Sequence, residues 1–194
     1  PTKIPTKENA MQKLKEKLVF RAFQSNNEEQ YHITRGEAII ENYLKWRENN
    51  KNEVLKTEMG IDFEFEGVKI TGVVDWLEKN PNGEYEVVDF KTGKWPQSQS
   101  EVEEGLELYI YARGIEKKKT YEKLPVKASL YFIEADKQVA IDLDESKVKK
   151  VFEDKIKDLI QGIMAEKFDA TPNSFNCRER CQYLDICDAG KSVA

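Results

Sequence analysis

A mixed β-sheet flanked by helices, an α/β fold, is what this sequence predicts, and three observations carry the prediction. Apolar residues make up 39% of 194 positions and charged residues 35%, which suits a real core beneath a heavily charged surface. The apolar pattern changes period along the chain in the order helix, helix, three strands, helix, two strands, helix. No apolar run approaches the roughly 18 residues needed to span a bilayer, and no low-complexity tract appears. Membrane-spanning and disordered classes are thereby excluded, and one domain over residues 1–194 is expected, with a cysteine-containing C-terminal segment at 171–194.

Thr6 is a helix cap for a run in which Met11, Leu14, Leu18 and Ala22 recur at three- and four-residue spacing. Asn26-Asn27 break that run. A second helical pattern starts near Glu29, carries Ile33, Ile40, Tyr43 and Leu44, and fades at Asn49-Asn50. The period then drops to two: Ile61, Phe63 and Phe65 alternate with Asp62, Glu64 and Glu66, which reads as a strand. Gly67 turns it into a return strand from Val68 to Leu77.

Asn80-Pro81-Asn82-Gly83 is a strong turn signal. Tyr85 to Lys91 follows as a strand whose near-continuous Val87, Val88 and Phe90 predict burial on both faces. A loop with Gly93 and Pro96 leads to one helix from about Glu101 to Glu116. Val126 to Glu134 and Gln138 to Leu143 read as two more strands. Glu145 to Lys167 reads as one long amphipathic helix with Val148, Phe152, Ile156, Leu159, Ile160 and Ile163 on one side.

The stretch that bears chemistry lies on either side of the Asn82 turn. Asp75 is seven residues before that centre and Asp89 seven after, so antiparallel pairing opposes them. Opposed residues have Cα atoms about 4.5–5.5 Å apart. Lys91, two positions beyond Asp89, shares its face. Like charges opposed across a ladder repel, and burial worsens the conflict. A divalent cation removes it, and hard Mg²⁺ or Mn²⁺ suits an all-oxygen site. A solvated face with a simple ion pair is the competing reading. The interruption of apolar strands by these charges favours the metal, but spacing alone does not separate the two.

The charge balance, 31 Lys+Arg against 36 Asp+Glu for a net of −5, does not by itself announce nucleic acid. The three cysteines, Cys177, Cys181 and Cys187, argue for a reducing, cytoplasmic compartment rather than a disulfide framework. Three thiolates in so short a span suit a soft metal or cluster; zinc with His32 and free buried thiols are the alternatives. Trp95 offers a stacking surface for a base or a packed loop residue. The runs at Lys117-Lys118-Lys119 and Lys147, Lys149, Lys150 read as phosphate contacts or, more simply, solvated surface.

Gly-Val-Val-Asp75, then Val-Val-Asp89-Phe-Lys91-Thr-Gly93-Lys, resembles the core of the PD-(D/E)XK nuclease superfamily in its RecB-like branch. The helix Leu106-Glu107-Leu108-Tyr109-Ile110-Tyr111-Ala112 resembles that branch's Gln-Leu-x-x-Tyr-Ala motif. Cys177-x3-Cys181-x5-Cys187 resembles the C-terminal cysteines of its iron–sulfur members. Tyr31-His32-Ile33-Thr34-Arg35-Gly36-Glu37 is similar to a helix of nuclease domains fused to UvrD-type helicases. The resemblance covers nearly the whole chain in order.

The resemblance implies a restriction-endonuclease-like fold and Mg²⁺- or Mn²⁺-dependent hydrolysis of DNA, with a helicase domain or subunit as partner in recombinational repair. It makes Asp75, Asp89 and the Phe90 carbonyl metal ligands. Lys91 becomes the group that orients water and offsets phosphoryl charge, Tyr111 a supporting or DNA-contacting residue, and Glu58 an upstream acid. It also implies a [4Fe–4S] cluster on Cys177, Cys181 and Cys187 in an intact protein. The sequence departs from the pattern in three places. Glu107 stands where the motif has glutamine, an acceptor-only side chain in place of an amide. The branch's upstream histidine ligand has no counterpart, His32 being the only histidine and lying elsewhere. The fourth cysteine is not in this chain. These gaps, and a start at Pro1, lead to the expectation of a fragment of a longer helicase–nuclease. A catalytically silent structural or DNA-binding module of a helicase is the alternative.

Overall fold

The structure, a computed structural model, describes residues 4–18, 23–121 and 123–194. The chain forms two compact units, residues 1–152 and 153–194.

In the first unit, helix α1 spans Lys7–Lys17 and is capped as expected, Thr6 Oγ1 accepting the Asn9 N–H at 3.2 Å. It ends at Leu18, and Ala22 lies outside the described residues. Helix α2 spans Asn26–Asn49 and starts earlier than its apolar pattern suggests. Ser25 Oγ accepts the Glu28 N–H while the Glu28 carboxylate accepts the Gln24 N–H, so Asn26 and Asn27 are the first turn and not a break.

Five strands follow in sheet order β1-β2-β3-β4-β5: Glu53–Phe65, Val68–Lys79, Tyr85–Lys91, Lys127–Phe132 and Lys137–Asp142. β1, β2 and β3 form an antiparallel meander, β3 and β4 are parallel, and β4 and β5 form a hairpin. Glu66 and Gly67 both take positive φ, 49° and 73°, as a tight two-residue hairpin requires. Asn80 Oδ1 accepts the N–H groups of Asn82 and Glu84 and closes the next turn. The parallel pair forces a crossover, and helices α3, Gln99–Glu104, and α4, Glu107–Glu116, make it.

The crossover was expected as one helix. A Ser98–Glu101 capping box starts α3, and Gly105 ends it in extended backbone with ψ 156°, so the chain turns before α4 begins. Glu107 thereby occupies the first turn of a fresh helix.

The sheet is covered on both faces. Trp76, Val88, Phe90, Tyr131 and Ile133 gather with Ile39, Tyr43 and Trp46 of α2. Trp46 stacks on Tyr131 and meets Trp76 and Phe90 edge-on, an arrangement aromatic quadrupoles favour. On the other face α4 lies close to β1. A Cβ on Gly114 would come within 2.4 Å of Ile61 Cδ1, so only glycine permits this approach.

From Glu145 the expected long helix is interrupted. Helix α5, Glu145–Val151, leads into a π-helical turn at Phe152–Ile156 and then helix α6, Lys157–Met164. Val148, Phe152, Ile156 and Ile160 are buried, while Leu159 and Ile163 of the expected stripe are exposed. Strict four-residue spacing drifts around a 3.6-residue helix, and a wider turn reduces that drift. Unit 2 continues with α7, Ser174–Glu179, a 3₁₀ turn at Leu184–Ile186, and α8, Asp188–Lys191. No described helix is long and apolar enough to cross a membrane.

Candidate functional site

The β2–β3 ladder runs from Lys79↔Tyr85 to Trp76↔Val88 and stops. The same register carried one step further opposes Asp75 to Asp89, as the turn-centre count predicts. There the side chain of Asp75 replaces the backbone partner: its Oδ2 accepts the Phe90 N–H at 2.9 Å. On the other edge β3 remains paired to β4 through Asp89↔Leu130 and Lys91↔Phe132. The Lys91 carbonyl faces β4, accepting the Ile133 N–H at 3.0 Å, so strand alternation turns the Phe90 carbonyl toward the gap at Asp75.

Glu58 lies between the register pairs Thr57↔Trp76 and Met59↔Val74, which places it opposite Asp75 on the far strand. Its φ of 48° is left-handed, a conformation disfavoured for a residue with a Cβ, and its side chain is exposed. Glu58, Asp75 and Asp89 thus form a row of acidic positions across three strands.

Asp89 is buried, with 3% of its surface exposed. Among the described residues its Oδ2 is a buried side-chain oxygen without a hydrogen bond, although Lys91 Nζ is 2.8 Å away at ion-pair distance. Burial pushes the Asp89 carboxyl up; the Lys91 ammonium pulls it down, and the charges of Glu107 and Asp75 add to the rise.

Lys91 Nζ also lies 2.8 Å from Glu107 Oε2. Burial alone would lower Lys91, but its pairing with the carboxylates of Asp89 and Glu107 outweighs that and holds it above its ordinary value. Tyr111, one helical turn after Glu107, donates its hydroxyl to Glu107 Oε1 at 3.2 Å. Burial, then the nearby carboxylates of Glu107, Asp89 and Asp75, push the Tyr111 hydroxyl far up, so it stays a proton donor.

Arg35 is a positioning residue that the sequence reading cited only within a motif. Its Nη2 donates to the Thr92 carbonyl at 2.9 Å and pairs with Glu134 at 2.6 Å, tying α2 to the ends of β3 and β4 just beyond Lys91. Glu78 was missed altogether. It is 2% exposed and accepts hydrogen bonds from Asn50, Asn52 and Trp76, stitching the start of β1 to β2. The signal was a glutamate two positions after a tryptophan in an apolar strand; its asparagine partners are visible only in three dimensions.

The charges favour a cation: Asp89 and Glu107 flank the Lys91 ammonium, and Asp75 adds a third carboxylate whose charge acts on Asp89. The buried oxygen of Asp89, lacking a hydrogen bond, and the all-oxygen donor set fit a hard divalent ion. Among the described residues no three His, Cys, Asp or Glu side chains converge as a ready-made cage. The fit therefore rests on Asp75 and Asp89 with the Phe90 carbonyl.

The cysteines fit a cluster less well. A Cβ on Gly190 would meet Cys187 Sγ at 3.5 Å and Cys177 Sγ at 3.6 Å, so these two share one glycine cradle, while Cys181 is exposed. All three are free thiols. His32 lies in α2, stacked on Phe23 with Tyr31 at its edge.

The α/β sheet thus brings two aspartates and a lysine together where the β2–β3 ladder ends. The sequence profile described as the PD-(D/E)XK nuclease superfamily matches residues 2–188, and the chain belongs to that superfamily. Its mixed five-stranded sheet with flanking helices is the restriction-endonuclease-like fold. The superfamily's members are generally nucleases that use divalent metals. No curated protein matches the chain. A solved structure titled "Crystal structure of SSO0001" is similar over 96% of this chain and 82% of that one, at 19% identity and a TM-score of 0.47.

Proposed function

We propose that the chain is a metal-dependent nuclease domain that hydrolyses DNA phosphodiester bonds at Asp75, Asp89 and Lys91. The observation that carries this reading is the buried Asp89 oxygen without a hydrogen bond, set beside Lys91 where the β2–β3 ladder ends. In this reading Asp75, Asp89 and the Phe90 carbonyl hold Mg²⁺ or Mn²⁺. Such an ion, when bound, polarises a phosphoryl oxygen and acidifies water toward neutral pH. Lys91 orients the attacking water and keeps fixed positive charge where negative charge develops on the phosphate. Glu107 holds the Lys91 ammonium in place, and Tyr111 holds Glu107. Glu58, in line with the two aspartates, is an outer acid of the same site.

The test is cleavage of linear single- and double-stranded DNA with Mg²⁺ or Mn²⁺, with Asp89→Ala and Lys91→Ala alongside. Cleavage lost in both variants supports the reading; activity equal to the parent in both ends it. A silent DNA-binding module is the second reading, favoured by the 2.8 Å pairing that leaves Glu107 neutralising the site's one ammonium. It expects DNA binding without metal-dependent cleavage.

The RecB-like placement extends the proposal. The domain would work with a helicase domain or subunit in recombinational repair in the cytoplasm, supported by the order of its motifs. A [4Fe–4S] cluster on Cys177, Cys181 and Cys187 is part of the same proposal; the three thiols supply three of its ligands, and Cys181, which is exposed, would have to turn inward. Anaerobic reconstitution followed by visible absorbance reads that directly.

A further inference from the structure

Trp95 is 80% exposed, whereas Trp76 is 6% exposed and Trp46 is half-buried in the aromatic cluster. A bare indole in water forgoes the burial that large aromatics ordinarily find. The loop that carries it is short and held at both ends. Arg35 grips the Thr92 carbonyl at one end, and the Ser98 capping box starts α3 at the other. Gln97, two residues after Trp95, lines a small cleft of about 90 Å³ together with Glu107, so the loop borders the candidate site. Trp95 is four residues beyond Lys91, a backbone reach of at most about 14 Å. Lys94 Nζ lies over one face of the indole, 5.8 Å from its centroid, so a base would take the other face.

We infer that Trp95 is a stacking platform for an unpaired base, with Lys94 meeting the adjoining phosphate, so that the site takes single-stranded or frayed DNA in preference to intact duplex. The inference rests on the proposal that DNA is the substrate and specifies which form of it. A base stacks on indole only when it has left its own stack, which a single strand allows and a closed duplex interior does not. The ring's π-face is indifferent to base identity, so the contact confers form selectivity without sequence preference. The chain's net charge of −5 leaves little general attraction for phosphate, which gives a stacking contact more weight.

The experiment binds the full chain to end-labelled oligo(dT) and to a hairpin duplex at low salt without divalent metal. Label anisotropy and tryptophan emission are followed together. The expected result is quenching of the exposed tryptophan by oligo(dT) and little by the hairpin. Trp95→Ala is expected to weaken oligo(dT) binding by roughly 5- to 150-fold, the range one base–aromatic stack provides. Trp95→Phe should keep most of the affinity. If anisotropy reports oligo(dT) binding but emission is unchanged and Trp95→Ala binds equally well, the stacking role is wrong and the DNA reading survives. If anisotropy reports no binding of either DNA, both fall together.

Discussion

Asp75 Oδ2 accepts the Phe90 N–H at 2.9 Å, a side chain doing the work of a strand partner where the β2–β3 ladder has ended. The bond lets the two strands part without leaving an orphaned donor, and it fixes one carboxylate oxygen of Asp75 beside the Phe90 carbonyl. The other oxygen remains available to a ligand.

This division of labour separates two substitutions. Asp75→Asn keeps an acceptor for the Phe90 N–H, so its unfolding free energy should stay within about 1 kcal/mol of the parent. Asp75→Ala leaves that donor unmet and should cost about 1–3 kcal/mol. Both should abolish metal-dependent cleavage. Urea denaturation beside a nuclease assay checks this; cleavage by Asp75→Asn at the parental rate would show that charge is not required there.

The close approach of α4 to β1 predicts that Gly114→Ala destabilises the fold by about 1–3 kcal/mol through overpacking against Ile61. Ile61→Val removes the Cδ1 atom that the new methyl would strike. The double variant should therefore lose less stability than the sum of the two single changes, measured by chemical denaturation.

Glu107→Gln removes one negative charge from the site while keeping an acceptor for the Tyr111 hydroxyl. Divalent cations should then stabilise the fold less effectively, with the Mn²⁺ concentration for a half-maximal thermal shift rising roughly a few-fold. An unchanged midpoint would mean that no cation binds within reach of Glu107.

Away from the site, Asp136 provides a pH signature. Hydrogen bonds donated by Lys45 and then by Tyr131 hold the carboxyl below its usual range. A carboxyl lowered on folding contributes stability above its unfolded pKa, near about 3.9, and loses it as pH falls through the folded value. Lys45 is exposed, so the contribution should be under about 1 kcal/mol. Asp136→Asn, which tolerates the left-handed φ of 47° here, should melt below the parent at pH 7 and converge with it as acidification takes Asp136 through its lowered folded-state value. A gap of constant size across that range would contradict the linkage.

Much of this arrangement is legible in the sequence. The opposition of Asp75 and Asp89 followed from counting outward from Asn82, because a turn centre and a two-residue period leave little freedom of register. β3 was legible to its ends, Tyr85 and Lys91, because turn residues and apolar continuity agree there. The split between α3 and α4 was not, since the helical pattern continues on both sides of Gly105. Nor was the start of β1 at Glu53: Val54 and Leu55 stand side by side between the charged Glu53 and Lys56 and give no alternation to detect.

What the sequence determined by itself was therefore the local framework: which segments form strands and helices, and that two aspartates and a lysine emerge near one strand end. Short-range sterics and period carry that information. Tertiary structure alone decided that Glu107 of α4 meets Lys91, that Asp75 turns its carboxylate onto the Phe90 backbone, and that Asp89 is buried with an oxygen that finds no hydrogen bond. Those relations join residues from different elements, and local sterics and period do not encode how a helix settles on a sheet; the close approach of α4 to β1 at Gly114, where a Cβ would strike Ile61, is one contact of that kind.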